Sequence, residues 1–312
     1  MAGRKYNHVA VLMGGLSAER EVSLNSGKAC AGALEAAGYK VTPIDAGRNV
    51  AAQILEVKPD VCFNALHGRW GEDGCVQGVL ELLGMPYTHS GVRASAIAMH
   101  KEQAKVLLRA AGVPVAKGRV LSRQEAARAH ALPRPYVLKP VNEGSSVGVF
   151  IVREDHTHPP QELNDPGWSI SEELLAEPYI AGRELTCAVM GERVLGVTEI
   201  VANENLRFYN YEAKYADGGS THIVPAPLLP DVYQLVEKFT LEAHKALGCR
   251  GVSRADFRYD DTPGGSGDLV CLEVNTQPGM TATSLVPELA AHAGLSFPEL
   301  VSWMVEDASC NR

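Results

Sequence analysis

Apolar runs and polar breaks alternate along this chain in a pattern that predicts an α/β protein, becoming α+β toward its C-terminal part. Val9-Ala10-Val11-Leu12-Met13 has no polar interruption and reads as a buried strand. After Gly14-Gly15, small or apolar residues at Val22, Ser26, Ala29, Cys30, Ala33 and Ala37 predict a helix that Gly38 ends. Lys40 to Asp45 and Asp60 to Leu66 read as further strands, so a small parallel sheet is expected up to about residue 90. Ser95 to Ala111 predicts one helix closed by Gly112. Strands are expected at Tyr136 to Pro140, Val149 to Val152 and Leu174 to Ile180. Another opens at Gly182-Arg183-Glu184, with Met190-Gly191-Glu192-Arg193 as a hairpin turn. The segment from Asp155 to Trp168 reads as a loop without a legible role. A last long helix runs from Asp231, as N-cap, to Leu247, with Gly248 as its stop.

The stretch from Arg254 to Ser284 carries the densest chemistry. Residues two apart on a strand share a face, so Arg254 projects with Asp256 and Glu273 with Asn275. A Gly/Pro/Asp-rich reversal lies between the two pairs and would fold them onto one patch. Asp, Glu and Asn without His or Cys are hard-oxygen ligands suited to Mg²⁺. A surface hairpin with ordinary salt bridges is the other reading of this stretch taken alone.

Composition narrows the class. At 312 residues, two or three domains are expected. The boundaries are placed at 1–94, 95–182 and 183–312. A net charge of −8 argues against a nucleic-acid surface but leaves room for a small anionic ligand held by a local lysine cluster. The seven cysteines are scattered and never spaced CxxC, which predicts reduced core thiols and a cytoplasmic protein. The first apolar run is too short for a signal peptide, and nothing later approaches a membrane span.

Two loops add candidates. His67-Gly68-Arg69-Trp70-Gly71-Glu72-Asp73-Gly74 follows a predicted strand, where functional loops gather. His67 is either a ligand or a satisfied core histidine. The hydroxyl-rich loop Glu143-Gly144-Ser145-Ser146-Val147-Gly148 can close backbone N–H groups on phosphate oxygens, or it is a plain hairpin turn. The aromatic, polar stretch from Phe208 to Ser220 has no clean period, as mobile lids often do not.

Taken in order, these pieces resemble the D-alanine–D-alanine ligase family of the ATP-grasp superfamily over nearly the whole chain. The motifs that carry the resemblance are Gly14 to Ser23, His67-Gly68 with Gly71 to Gly74, and Lys139-Pro140 with Glu143 to Gly148. Tyr209 with Tyr211 to Tyr215, Arg254 with Asp256, and Glu273 with Asn275 and Pro278 to Thr281 complete them. The resemblance implies three domains, an N-terminal Rossmann-like parallel sheet, and ATP held between the central and C-terminal sheets.

It also implies roles. Asp256, Glu273 and Asn275 would hold two Mg²⁺ ions, with Mn²⁺ as a possible substitute. Lys101, Lys139 and Lys214 would bind phosphates, helped by Glu143, Ser145, Ser146 and Val147. Glu177 and the backbone of Tyr179 and Ile180 would read adenine, and Glu184 the ribose. Glu19 would pair with the first D-alanine's ammonium. Arg254 and the Gly279 N–H would form the oxyanion site, and Ser284 with Lys214 would take the second carboxylate. His67 would line the substrate site. Ser145 and Tyr215 would bond to Glu19 and close the lid; Tyr215 implies a dipeptide rather than an ester product. The implied product is D-alanyl-D-alanine for peptidoglycan synthesis, made by a homodimer. His100, Asn210 and Gln277 depart from residues common in the family.

Overall fold

The computed structural model describes residues 4–144, 147–202, 219–281 and 283–312. Strand β1 (His8–Met13) is central in a parallel sheet, between β2 (Lys40–Asp45) and β3 (Val61–Asn64). Its unbroken apolar run is explained by burial on both faces. Val9 and Val11 pack with Cys30 and Leu34 of α1 (Arg20–Ala36), while Ala10 and Leu12 pack with Ile54 of α2 (Val50–Val57) and Leu80 of α3 (Cys75–Leu82). The parallel sheet expected before residue 90 is therefore present.

The helix expected over Ser95 to Ala111 is two helices, α4 (Val92–Met99) and α5 (Lys101–Ala110). His100 leaves the helical region (φ −93°, ψ 94°), and its ring accepts the Gln103 N–H at 3.3 Å. The Lys101 N–H then bonds the Val141 carbonyl at 3.0 Å instead of an intrahelical one. Small and apolar residues run on through the break, so periodicity alone does not show it.

A second sheet holds β4 (Arg119–Ser122), β5 (Tyr136–Pro140), β6 (Phe150–Val152) and β7 (Glu173–Pro178) in the order β4-β7-β5-β6. Helix α6 (Arg123–Arg128) starts with a Ser122/Glu125 capping box. The segment between Asp155 and Trp168 contains a 3₁₀ turn, Gln161–Asn164, whose Leu163 is buried against Tyr136 and Leu138. Trp168 stacks on Phe150 at 6.2 Å. The segment thus closes one side of this sheet's core.

The third sheet is antiparallel, β10-β9-β8-β11-β12. It is built from β8 (Arg183–Met190), β9 (Arg193–Ala202), β10 (Ser220–Ile223), β11 (Val252–Tyr259) and β12 (Leu269–Asn275). Helix α7 (Pro230–Leu247) covers one face through Val236, Ala243 and Leu247. Its N-cap is Leu229, with Pro230 at the first position, so Asp231 belongs to the first turn and is not the cap. Proline's fixed φ and missing N–H suit that first position. Gly248 (φ 72°) ends the helix as expected.

Helices α8 (Leu285–His292) and α9 (Phe297–Asp307) pack on the N-terminal sheet: Val286, Leu300 and Val305 share one core with Val9, Leu34 and Phe63. All seven cysteines are free; five are buried, whereas Cys75 is exposed and Cys310 half-buried. Among the described residues no helix is long and apolar enough to cross a membrane.

Candidate active site

Strands β11 and β12 pair so that Arg254 faces Asn275 and Asp256 faces Glu273. The two pairs thus share one patch, as the two-residue spacing and the turn between them predict. A bulge between Asp256 and Phe257 shifts the pairing only beyond these residues. Arg254 grips Asp256 as a fork, Nε to Oδ1 at 2.9 Å and Nη2 to Oδ2 at 2.8 Å. Thr186 on β8 donates to Oδ1 at 2.6 Å, and Asn275 Nδ2 donates to Oδ2 at 3.0 Å. Such a planar fork fixes the guanidinium as well as the carboxylate.

The break at His100 places Lys101 at the start of α5, beside this patch. Its Nζ lies 3.6 Å from Glu273 Oε2 and donates to the Glu143 carbonyl. Helix start, central-sheet loop and β12 therefore meet at one ammonium.

The N-terminal loops arrive from the carboxyl ends of β1 and β3. Ser17 Oγ donates to the His67 carbonyl at 2.7 Å and accepts the Glu19 N–H at 3.1 Å, tying the two loops together. Gly68 has φ 69°, and a Cβ there would lie 2.9 Å from Glu19 Oε1; one on Gly144 would lie 3.3 Å from the same oxygen. A side chain on Gly68 would need a left-handed backbone and press on the Glu19 carboxylate, and one on Gly144 would crowd it. The two glycines thus leave room for it between the loops.

Glu72 accepts the Gly68 N–H. Burial and the Glu19 charge push its carboxyl well above the usual carboxylate range, with Glu273 adding and Arg254 opposing. Glu72 stood in a quoted motif without a role. Its signal was an acid in a glycine-rich strand-end loop that already held one candidate.

His67 is buried, with Nε2 3.0 Å from Ser26 Oγ and a further hydrogen bond to the Gln277 backbone. Burial pulls its pKa down to about 4; the Gln277 bond opposes this and the Arg254 charge adds to it. The ring is thus engaged inside the protein, in the manner of the satisfied core histidine. Gln277 donates to the Asn64 carbonyl and accepts from Asn64 Nδ2 at 3.1 Å, with its Nε2 3.2 Å from His89 Nδ1. The loop carrying Gly279 is thereby stitched to the end of β3. Ser284, the N-cap of α8, accepts the Thr281 N–H at 2.9 Å, and a Cβ on Gly279 would lie 3.0 Å from its Oγ.

A second cluster lies between the central and C-terminal sheets. Glu177 on β7 is buried, with Lys139 Nζ of β5 2.8 Å from Oε2 and Lys105 of α5 donating to Oε1. Burial pushes the Glu177 carboxyl up, but the Lys139 and Lys105 charges outweigh it and hold it below its ordinary value. Nearby, Arg258 Nε donates to the Ile180 carbonyl at 3.1 Å, and its Nη1 lies 3.6 Å from Glu184 Oε2. The guanidinium also sits 5.8 Å from the Tyr179 ring centroid. Arg258 was missed from sequence, although Arg254, Asp256 and Arg258 follow the period-2 rule.

The structure therefore assembles Glu19, Lys101, Glu143, Arg254, Asp256, Glu273 and Asn275 into one contact chain, and Lys139 with Glu177 into another. Tyr179, Ile180 and Glu184 gather at Arg258. Val147 follows Gly144, whose carbonyl accepts its N–H at 3.1 Å. Ser145, Ser146, Lys214 and Tyr215, and nearly all of the expected lid, lie outside the described residues. Among the described residues no group of three His, Cys, Asp or Glu gathers as a metal cluster. Two carboxylates and an amide, already balanced by cations, nevertheless fit a hard ion that keeps open positions for phosphate oxygens.

Comparison with known proteins converges on one group. Residues 107–306 match the family model described as D-ala D-ala ligase C-terminus, and residues 44–90 match D-ala D-ala ligase N-terminus. The chain is 68% identical to the D-alanine--D-alanine ligase of Parvibaculum lavamentivorans over 305 residues, 98% of each chain. It is 67% identical to that of Methylobacterium radiotolerans, covering 98% of this chain and 99% of the relative. Among solved structures, it resembles the Bacillus anthracis D-alanine--D-alanine ligase complexed with ATP, at TM-score 0.78 and 30% identity, over 96% of this chain and 97% of that one.

Proposed function

The chain belongs to the D-alanine–D-alanine ligase family, and from that premise we propose that it joins two D-alanine molecules using ATP. A carboxylate is a poor electrophile because O⁻ is a poor leaving group. In this reading the first D-alanine's carboxylate oxygen attacks the γ-phosphorus of ATP, releasing ADP and leaving an acyl phosphate. The second D-alanine's amine then attacks the carbonyl carbon, and phosphate departs with the original carboxylate oxygen.

Glu19 accepts the first ammonium, its carboxylate lying where the Gly68 and Gly144 loops approach each other. Glu72, pushed toward its neutral form by burial and by the Glu19 charge, stands beside it. Arg254, oriented by the Asp256 fork, and the Gly279 N–H receive charge as it develops on the tetrahedral oxygen. Ser284 takes the second carboxylate at the start of α8, where the helix dipole favours an anion.

Lys101 and Lys139 hold phosphates, with Ser145, Ser146, Val147, Lys214 and Tyr215 forming the rest of the cover. Glu177, Tyr179 and Ile180 take adenine, and Glu184 the ribose. Asp256, Glu273 and Asn275 would hold magnesium, which when bound neutralises triphosphate charge. The proposal extends to a cytoplasmic homodimer with domains at 1–94, 95–182 and 183–312.

One observation carries this reading: Arg254, Asp256, Glu273 and Asn275 meet on one sheet face within reach of Lys101. Incubation with ATP, Mg²⁺ and D-alanine, followed by mass spectrometry, should yield ADP, phosphate and D-alanyl-D-alanine. ATP turnover indifferent to D-alanine would contradict it.

A further inference from the structure

Lys105 has no part in the chemistry above, yet its side chain is only 2% exposed and it shares the Glu177 carboxylate with Lys139. Each oxygen of Glu177 has its own ammonium: Oε1 takes Lys105 and Oε2 takes Lys139. The two lysines are not equivalent. Lys139 keeps 10% of its side chain exposed, whereas Lys105 is sealed between α5 and the central sheet.

Burial and the Lys139 charge pull the Lys105 pKa down to about 8, against the pull of Glu177. The direct ion pair of Lys105 with the Glu177 carboxylate favours the charged form against that lowering. A cluster of two cations and one anion has one cation to spare.

If Lys139 turns to the triphosphate, Glu177 would be left as a buried carboxylate without its Oε2 partner. Such a group takes up a proton unless another charge stays beside it. Its protonation state matters to the ligand. An ionised carboxylate only accepts hydrogen bonds, which matches the two N–H bonds of a 6-amino purine and repels the carbonyl oxygen of a 6-oxo purine. A protonated one can donate to that oxygen and loses the distinction.

We propose that Lys105 is a positioning and specificity-determining residue: its buried ammonium keeps Glu177 charged and fixed, which releases Lys139 to the triphosphate and lets Glu177 select 6-amino over 6-oxo purines. This rests on the reading of Glu177 as the adenine contact.

The test compares kcat/KM for ATP and inosine triphosphate, with D-alanine saturating. Lys105→Met should narrow the ATP preference by about tenfold or more, the scale of one charge-assisted hydrogen bond, while KM for D-alanine stays within about twofold. A lowered unfolding temperature with an unchanged nucleotide preference would overturn the proposal, because a merely structural lysine predicts that result. Lys139→Met decides the matter even if Lys105→Met does not fold. It should raise KM for ATP yet keep the preference; loss of the preference would mean that Lys105 cannot hold Glu177 alone. Glu177→Gln separates the two levels of argument. If that change leaves the preference intact, the adenine assignment itself fails, independently of Lys105.

Discussion

The carboxylates of β11 and β12 and the carboxylate of β7 face cations in different ways. Asp256 and Glu273 are held by Arg254 and Lys101, groups also proposed for the reacting end; Glu273 keeps 28% of its side chain exposed. Glu177 is 3% exposed and has a lysine with no other proposed duty. Where substrate and ion must enter, the charges are paired with groups that can be re-paired. Where the carboxylate is almost wholly buried, a counter-charge that stays in place is built in beside it, because a buried ion left alone is far more costly than an exposed one. The first arrangement favours turnover and the second favours a fixed recognition surface.

Substitutions at the two ends should therefore separate activity from stability. Glu273→Ala should lower turnover by about 10²-fold or more, the scale seen when transition-state charge stabilisation is removed. Its unfolding free energy should shift by less than that of Glu177→Ala, because Glu273 is only half-buried and Lys101 keeps the Glu143 carbonyl as a partner. Near-normal rates in an ADP-release assay would break the contrast. Glu177→Ala should do the reverse in denaturant titration, costing about 3–5 kcal/mol by stranding two buried ammonium groups.

Gln277→Ala tests the stitch between β3 and the Gly279 loop. Taking the Gln277 donor from the Asn64 carbonyl, while the Asn64 amide keeps the Gly71 carbonyl, should cost about 1–3 kcal/mol.

A pH trend tests the buried histidines beside the same stitch. Burial lowers His67 to about 4 and His89 to about 3, both from an ordinary 6.5. The unfolded chain therefore binds protons first, so this stability is present above pH 6.5 and is lost as pH falls toward 4 and 3. Thermal unfolding between pH 7 and 4.5 should show a falling midpoint, and His67→Gln should flatten the slope.

The hairpin of β11 and β12 was legible because period-2 spacing and a Gly/Pro turn are local signals, and they gathered Arg254, Asp256, Glu273 and Asn275 onto one patch. Which residue faces which had to come from the structure. The N-terminal sheet was legible because its central strand is apolar throughout. The break at His100 was not, since a bond to Val141, far along the chain, decides it. Lys105 was hidden for a related reason: a lysine on an amphipathic helix looks like a solvated one until Glu177 is brought against it from another sheet. Glu72 and Arg258 sat in view, but their partners come from other loops. Gln277 looked like a neutral departure from its relatives, whereas its amide joins two regions of the molecule.

The most direct test of the central claim follows a carboxylate oxygen. D-alanine labelled with ¹⁸O in its carboxylate, turned over with ATP and Mg²⁺, should deliver one labelled oxygen to each inorganic phosphate released, because phosphate leaves from an acyl phosphate. Dipeptide formation with unlabelled phosphate would contradict the account, since the carboxylate would then never have bonded to phosphorus.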